Sequence, residues 1–264
     1  MDPTQTRQAA AWLAAEHQAG RRFEPFAAAQ GIATLDDAYA VQREYMAAER
    51  ARRGAGVAGY KIGLTSAAMQ KMCGIDTPVA GVILDDGVHA NEDTLQASRY
   101  GRLGVEFEIA VRFKEDLPAT GGAPTFEEVA HAVDAVAPAM EIVDDRGCDY
   151  ARLDVLSLVA DNAWNAGLVL GPFVREWPAL DEVEGVAQVV GGDTLGSGRG
   201  ADALGHPFLA CAWLASHLAS RGECLRAGQV VMTGSIVTTR FPVAGMHLRF
   251  EVGALGTVEA HVQP

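Results

Sequence analysis

Lysine is the scarcest charge in this 264-residue chain: of 21 Lys and Arg together, only Lys61, Lys71 and Lys114 are lysines. Cations are themselves outnumbered by 34 Asp and Glu, leaving a formal net charge of −13. That balance excludes a polyanion binder, since neither nucleic acid nor an anionic membrane surface would be attracted to it. Cysteine is sparse too, with Cys73, Cys148, Cys211 and Cys224 scattered and never in CxxC spacing. They read as reduced, mostly buried thiols of a cytoplasmic protein, not as a disulfide framework or a zinc site. No run of about 18 apolar residues is present, so no membrane span is expected. The opening Met1-Asp2-Pro3-Thr4-Gln5 lacks the pattern of a signal peptide. Also missing are a Walker A loop, a GxGxxG turn and a GxSxG elbow, the signatures of phosphate, dinucleotide and serine-hydrolase sites. What is there is 49% hydrophobic, enough for a substantial core.

Residues 1–56 read as a helical N-terminal region. Thr4 to His17 carries apolar residues at helical spacing and is followed by Gly20. Thr34, with Asp37 three residues on, caps a second helix whose buried face is Ala38, Val41, Tyr45 and Met46 and which ends in the Arg-rich Arg50–Gly56. Residues 57–264 read as a mostly β body. Short β-rich segments recur at Val57–Leu64, Gly81–Leu84, Val105–Phe113, Leu168–Leu170, Val186–Val190, Gln229–Thr233, Leu248–Val252 and Thr257–Val262. Two helices are expected among them. One runs from a Thr125 cap with Glu128 through Ala137 to a stop at Pro138, the other from Pro207 to Arg221. Gly196–Gly200 reads as a hairpin loop. The alternation is too irregular for a doubly wound sheet, so the expected class is α+β.

The most informative segment is Gly104-Val105-Glu106-Phe107-Glu108-Ile109-Ala110-Val111. In a strand, Val105, Phe107, Ile109 and Val111 share one face while Glu106 and Glu108 share the other, roughly 6.6 Å apart. That face is either wet, with two solvated glutamates, or holds a cation that cancels their repulsion. A third carboxylate, Glu141, is embedded in the apolar run Ala135–Val143, where a glutamate is either paired or coordinating. Three carboxylates without His or Cys suit a hard ion such as Mg²⁺. Lys61 also lies in an apolar strand-like stretch. It is either an edge-strand lysine that deters aggregation or a partly buried ammonium serving acid–base chemistry beside a bound anion. Asp161–Gly167 reads as a turn or a pocket wall, and His206 as a cap or packing residue in preference to a base.

Tyr60–Ser66, Glu106–Ala110, Pro138–Asp144, Ala160–Ala163, Leu204–Pro207, Met232–Ser235 and Gly253–Val258 occur in an order that resembles the 2-keto-4-pentenoate hydratase family of the fumarylacetoacetate hydrolase superfamily. The resemblance implies a mixed β-roll of the fumarylacetoacetate hydrolase C-terminal type after the helical region, and a homo-oligomer, with association to another pathway enzyme possible in this family. It implies Mg²⁺ or Mn²⁺ held by Glu106, Glu108 and Glu141, with Lys61 catalytic. Substrate contacts are expected from Leu64, Thr65, Ser66, Asp161, Asn162 and Ser235. The implied activity is hydration of a small anionic 2-hydroxy-2,4-dienoate from aromatic-compound catabolism to a 4-hydroxy-2-oxo acid. A 4-oxalocrotonate-type decarboxylase and an acylpyruvate C–C hydrolase are the alternatives. One departure stands out. Hydratases of the group carry an acid in the segment that reads Thr77-Pro78-Val79-Ala80-Gly81 here, so Val79 replaces it, as aliphatic residues do in decarboxylases. Asp76, Asp85 and Asp86 are the candidates to stand in for that acid. Arg99, Arg102, Arg146 and Arg240 are candidates to bind a second substrate carboxylate.

Overall fold

Asp2 with Gln5 and Thr34 with Asp37 each form a capping box, and the helices they start, α1 (Pro3–Gln18) and α2 (Leu35–Arg53), pack together. The computed structural model describes residues 1–117 and 122–264. Next come β1 (Val57–Gly63), α3 (Ala67–Met72), β2 (Val79–Leu84), β3 (Val88–Ala90), β4 (Asp93–Gln96) and β5 (Leu103–Phe113). The middle of the chain forms α4 (Phe126–Ala132), β6 (Val133–Asp144), α5 (Val155–Ala160) and β7 (Asn165–Leu170). Then follow β8 (Glu184–Val189), β9 (Thr194–Arg199), α6 (Pro207–Ala219), β10 (Val230–Met232), β11 (Val237–Arg240), β12 (His247–Val252) and β13 (Gly256–Gln263). None of the described helices is long and apolar enough to cross a membrane.

The strands form two mixed sheets. The larger has the order β2-β1-β10-β5-β6-β7-β3, with β11 also paired to β5; the smaller has the order β4-β13-β12-β8-β9. Val105, Phe107, Ile109 and Val111 are at most 1% exposed. Phe107 packs its ring 5.4 Å from Phe250 of the smaller sheet. The second sheet therefore covers the apolar face of β5 and leaves its glutamate face turned away. This alternation places the site.

Two expectations are corrected. The helix capped by Thr125 ends at Ala132, not Ala137, and Val133 opens strand β6. Its β-branched Val133 and Val136 are buried, and pairing with β5 and, at Val136, with Val174 outweighs the helical preference of the alanines. Pro138 is tolerated because its carbonyl, and hence its missing N–H, faces the β7 side at Gly171, just beyond the strand's end at Leu170. Gly196–Gly200 is not the hairpin loop: most of it is strand β9, paired to β8, with the turn before it at residues 190–193. A methyl on Gly198 would lie 1.8 Å from the Ile236 carbonyl oxygen, so the glycines serve close packing.

His217 on α6 stacks on Trp213, with ring centroids 5.1 Å apart, and lies 4.5 Å from Tyr39. Burial, helped by the Arg221 cation, lowers its pKa from 6.5 to about 4. A depressed folded pKa contributes stability above the unfolded value that is lost as pH falls from about 6.5 through about 4. Denaturant titrations are expected to show that loss in the native protein. In His217→Gln the part carried by this side chain should vanish, and identical pH slopes for the two proteins would refute the assignment.

Candidate metal and lysine site

Antiparallel register sets Glu106 of β5 directly across from Glu141 of β6, with Glu108 two residues further along the same face. One oxygen from each lies within 4.8 Å of the others. Glu108 and Glu141 are fully buried and Glu106 half-buried, so the wet-face reading of this strand does not hold. Lys61 comes from β1, which lies between β2 and β10, so it is no edge-strand lysine. It is 4% exposed, and its Nζ lies 3.3 Å from Glu141 Oε1.

Three donors orient the carboxylates. Thr239 Oγ1 donates to Glu106 Oε1 at 2.6 Å, the Gly234 N–H to Glu108 Oε2 at 2.8 Å, and Asn165 Nδ2 to Glu141 Oε1 at 2.9 Å. Gly234 has φ 113°, and a methyl there would lie 2.4 Å from Thr65, so only glycine presents this N–H. Glu108 Oε1 and Glu141 Oε2 remain buried without a partner. Two orphaned carboxylate oxygens are costly unless something positive meets them. When ionised, three carboxylates and one ammonium sum to a charge of −2, which a hard divalent ion matches. The residues fit Mg²⁺ or Mn²⁺.

The electrostatics agree. Burial raises Glu108 well above 4.5, with the charges of Glu141 and Glu106 adding to the effect. Burial likewise raises Glu141, to about 7, against the pull of Lys61. For Lys61 burial acts downward, but Glu141, Glu106 and Glu108 together outweigh it and hold the ammonium above 10.5.

Above these groups opens a cavity of about 590 Å³. Lys61 and Glu106 line it together with Leu64, Thr65, Ser66 and Ser235. The Ser235 hydroxyl accepts from the Phe107 N–H at 3.1 Å and donates to the Val237 carbonyl at 2.6 Å. Ser66 accepts from the Met69 N–H as the cap of α3.

This arrangement can now be set beside known proteins. The family model described as fumarylacetoacetate (FAA) hydrolase C-terminal matches residues 65–263. The chain belongs to this family. It is 35% identical over 237 residues to a 2-keto-4-pentenoate hydratase of Paraburkholderia xenovorans, covering 89% of this chain and 87% of the relative. It is 36% identical over 212 residues to a 4-oxalocrotonate decarboxylase of a Pseudomonas strain, covering 80% and 78% of the two chains. Among solved structures it superposes on the 4-oxalocrotonate decarboxylase from Pseudomonas putida complexed with magnesium and adipate. The TM-score is 0.92, at 29% identity, covering 99% of this chain and 98% of that one. The α+β architecture with curled sheets is that of the FAA hydrolase fold.

Not every residue expected in this family site is in it. Asp161 and Asn162 line a separate cavity of about 520 Å³ instead. The buried Asp161 carboxylate receives Arg146 Nη2 and His17 Nε2, each at 2.5 Å. Asn162 accepts from the Val82 N–H at 2.7 Å and donates to its carbonyl at 2.9 Å. Both side chains are held by hydrogen bonds within the fold. Their segment is both the turn and a wall of that second cavity: Asn162, Ala163 and Trp164 have φ of 53°, 45° and 60°, and Asp161, Asn162 and Asn165 line it. Ala163 and Trp164, not their polar neighbours, face the carboxylate cavity. Arg146→Met should cost about 3–5 kcal/mol by stranding the buried Asp161 charge. Urea denaturation measures it, and a loss below about 1 kcal/mol, the size of an exposed pair, would contradict the assignment.

His206 caps α6, its Nδ1 accepting from the Phe208 N–H at 2.9 Å. Among the described residues none of Asp76, Asp85 and Asp86 lines the carboxylate cavity, whereas Asp202 does. Sequence reading passed over Thr239, Gly234 and Asn165 as carboxylate partners. Gly234 and Asn165 stand in segments already singled out, but their targets lie 126 and 24 residues away. Thr239 sits on β11, a strand the pattern did not reveal.

Proposed function

We propose that this chain is a divalent-metal-dependent lyase that hydrates a small 2-hydroxy-2,4-dienoate. The carrying observation is the convergence of Glu106, Glu108 and Glu141, two of their oxygens orphaned, beside a buried Lys61 that lines a cavity together with Glu106. The likeness to a 2-keto-4-pentenoate hydratase over most of both chains supports the reading.

Glu106, Glu108 and Glu141 would hold Mg²⁺ or Mn²⁺, which would supply Lewis-acid stabilisation of the charge developing on the substrate's 2-oxygen. Lys61 keeps its proton at neutral pH because three carboxylates face it. Its ammonium offsets the same negative charge and stands ready to pass a proton. The burial around it limits water to what the cavity admits. The reaction balances with one water: the 2-hydroxyl proton leaves, C5 gains a proton, the water oxygen bonds to C4 and its proton ends on C3. The product is a 4-hydroxy-2-oxo acid.

Val79 favours a second reading, decarboxylation of a 2-oxo-enedioate. It lines the cavity at 1% exposure, and a methyl on Gly63 would touch both Lys61 Nζ, at 3.2 Å, and Val79 Cγ2, at 3.4 Å. An aliphatic group thus stands close to the ammonium, where an acid would assist water. The test is product analysis with Mg²⁺-loaded protein. Conversion of 2-hydroxypenta-2,4-dienoate to 4-hydroxy-2-oxopentanoate is expected. CO₂ release from 4-oxalocrotonate with no hydration of the dienoate would replace this reading with the second.

A further inference from the structure

We propose that the cavity selects substrates whose end remote from the 2-oxygen is uncharged and apolar, so that the preferred dienoate is a monoacid. This rests on the lyase reading above and names its substrate class. Depth in the cavity follows burial: the buried Lys61 and half-buried Glu106 line its inner part, with Glu108 and Glu141 buried beside them, and exposed side chains form the mouth. Between them the wall is Val143, Leu158 and Ile236, each at most 6% exposed, and at the mouth stand Met69, Met72 and Phe241. A chain bound through its first two carbons at the closed end would run outward over these apolar groups.

A second carboxylate on that chain would need a cation, and no arginine lines the cavity among the described residues. Arg99 lines the other cavity. Arg102 stacks over Phe241 at the mouth, 4.5 Å from the ring centroid, but its charge is matched by Asp145 and its Nη2 also reaches the Cys148 carbonyl at 3.0 Å. Arg146 is paired with Asp161, and Arg240, which has no carboxylate partner and a buried, unpartnered Nε, donates to the Leu195 carbonyl and does not line the cavity. Among the described residues Lys61 is the only Lys or Arg lining the cavity. The charge beyond Glu106 is instead the exposed Asp202, whose carboxylate accepts the Arg199 N–H at 2.7 Å. A diacid would lose hydration at the apolar wall and meet a like charge there.

The experiment compares 2-hydroxyhexa-2,4-dienoate, which ends in a methyl, with 2-hydroxyhepta-2,4-dienedioate, which ends in a carboxylate, using Mg²⁺-loaded protein. The expected kcat/KM ratio favours the methyl-ended acid by about 100-fold, and Met72→Lys or Asp202→Asn should narrow that ratio several-fold. Calorimetry of 2-oxohexanoate against 2-oxoadipate reads the same preference without turnover. Tighter binding or faster turnover of the diacid would overturn the inference, as would a ratio that neither variant moves. Tighter binding of 2-oxohexanoate with no turnover of either dienoate would uphold the inference and sink the hydratase reading instead.

Discussion

Lys61→Met is expected to lower turnover of the dienoate by about 10²–10⁴-fold, the range for removing a positioned acid–base group. The size follows from the site's isolation. The ammonium is 4% exposed and 3.3 Å from Glu141, so no bulk water replaces it as a proton source. Methionine keeps the length and volume of the side chain, which separates lost charge from lost packing. The same change leaves three carboxylates facing one another, and in metal-free protein that should cost about 3–5 kcal/mol. Added Mg²⁺ should return most of the stability but not the rate. Steady-state kinetics and thermal melts with and without Mg²⁺ measure the two effects. A variant with more than a tenth of native turnover would remove Lys61 from the chemistry.

Glu108→Gln is expected to be as damaging, by a different route. Its Oε1 is one of the two orphaned oxygens, and its Oε2 is fixed by the Gly234 N–H. A glutamine accepts the same N–H but brings no charge to the ion. Lewis-acid stabilisation amounts to several kcal/mol and each 1.4 kcal/mol is tenfold, so the loss is roughly 10³-fold. Stability should move the other way. Burial and its two neighbours raise Glu108 well above 4.5, so in metal-free protein at neutral pH its ionised form is disfavoured in the fold. The raised folded pKa means stability that is present below about 4.5 and lost as pH rises. Glutamine abolishes that loss, and metal-free Glu108→Gln should be more stable at neutral pH by about 1–3 kcal/mol. Mg²⁺ should stabilise the native protein and leave the variant unmoved. Equal Mg²⁺ stabilisation of both would show that Glu108 holds no metal.

The site was legible where local periodicity carries it. Strand alternation placed Glu106 and Glu108 on one face without reference to any partner, and the apolar surroundings of Glu141 marked it as a charge requiring an explanation. Register then did what no local pattern can: it set Glu141 across from Glu106 and brought Lys61 from two strands away. Asp161 shows the opposite case. Its polar neighbourhood suggests a place in the carboxylate cavity, but it lines the other one, and Arg146 and His17, 15 and 144 residues away, claim both oxygens. Strand β6 was half hidden because Ala135 and Ala137 suit a helix and only pairing with β5 and with Val174 decides otherwise. The glycines of β9 similarly imitate a loop until the close approach of Ile236 is seen.

The carboxylate cluster is expected to work only when it holds a divalent ion. The most direct measurement is turnover of 2-hydroxypenta-2,4-dienoate by protein stripped with EDTA, dialysed, and assayed before and after Mg²⁺ is added. The expected result is negligible turnover in the stripped protein and recovery on adding Mg²⁺, with the fold intact by circular dichroism throughout. Full turnover in the stripped, refolding-competent protein would contradict it.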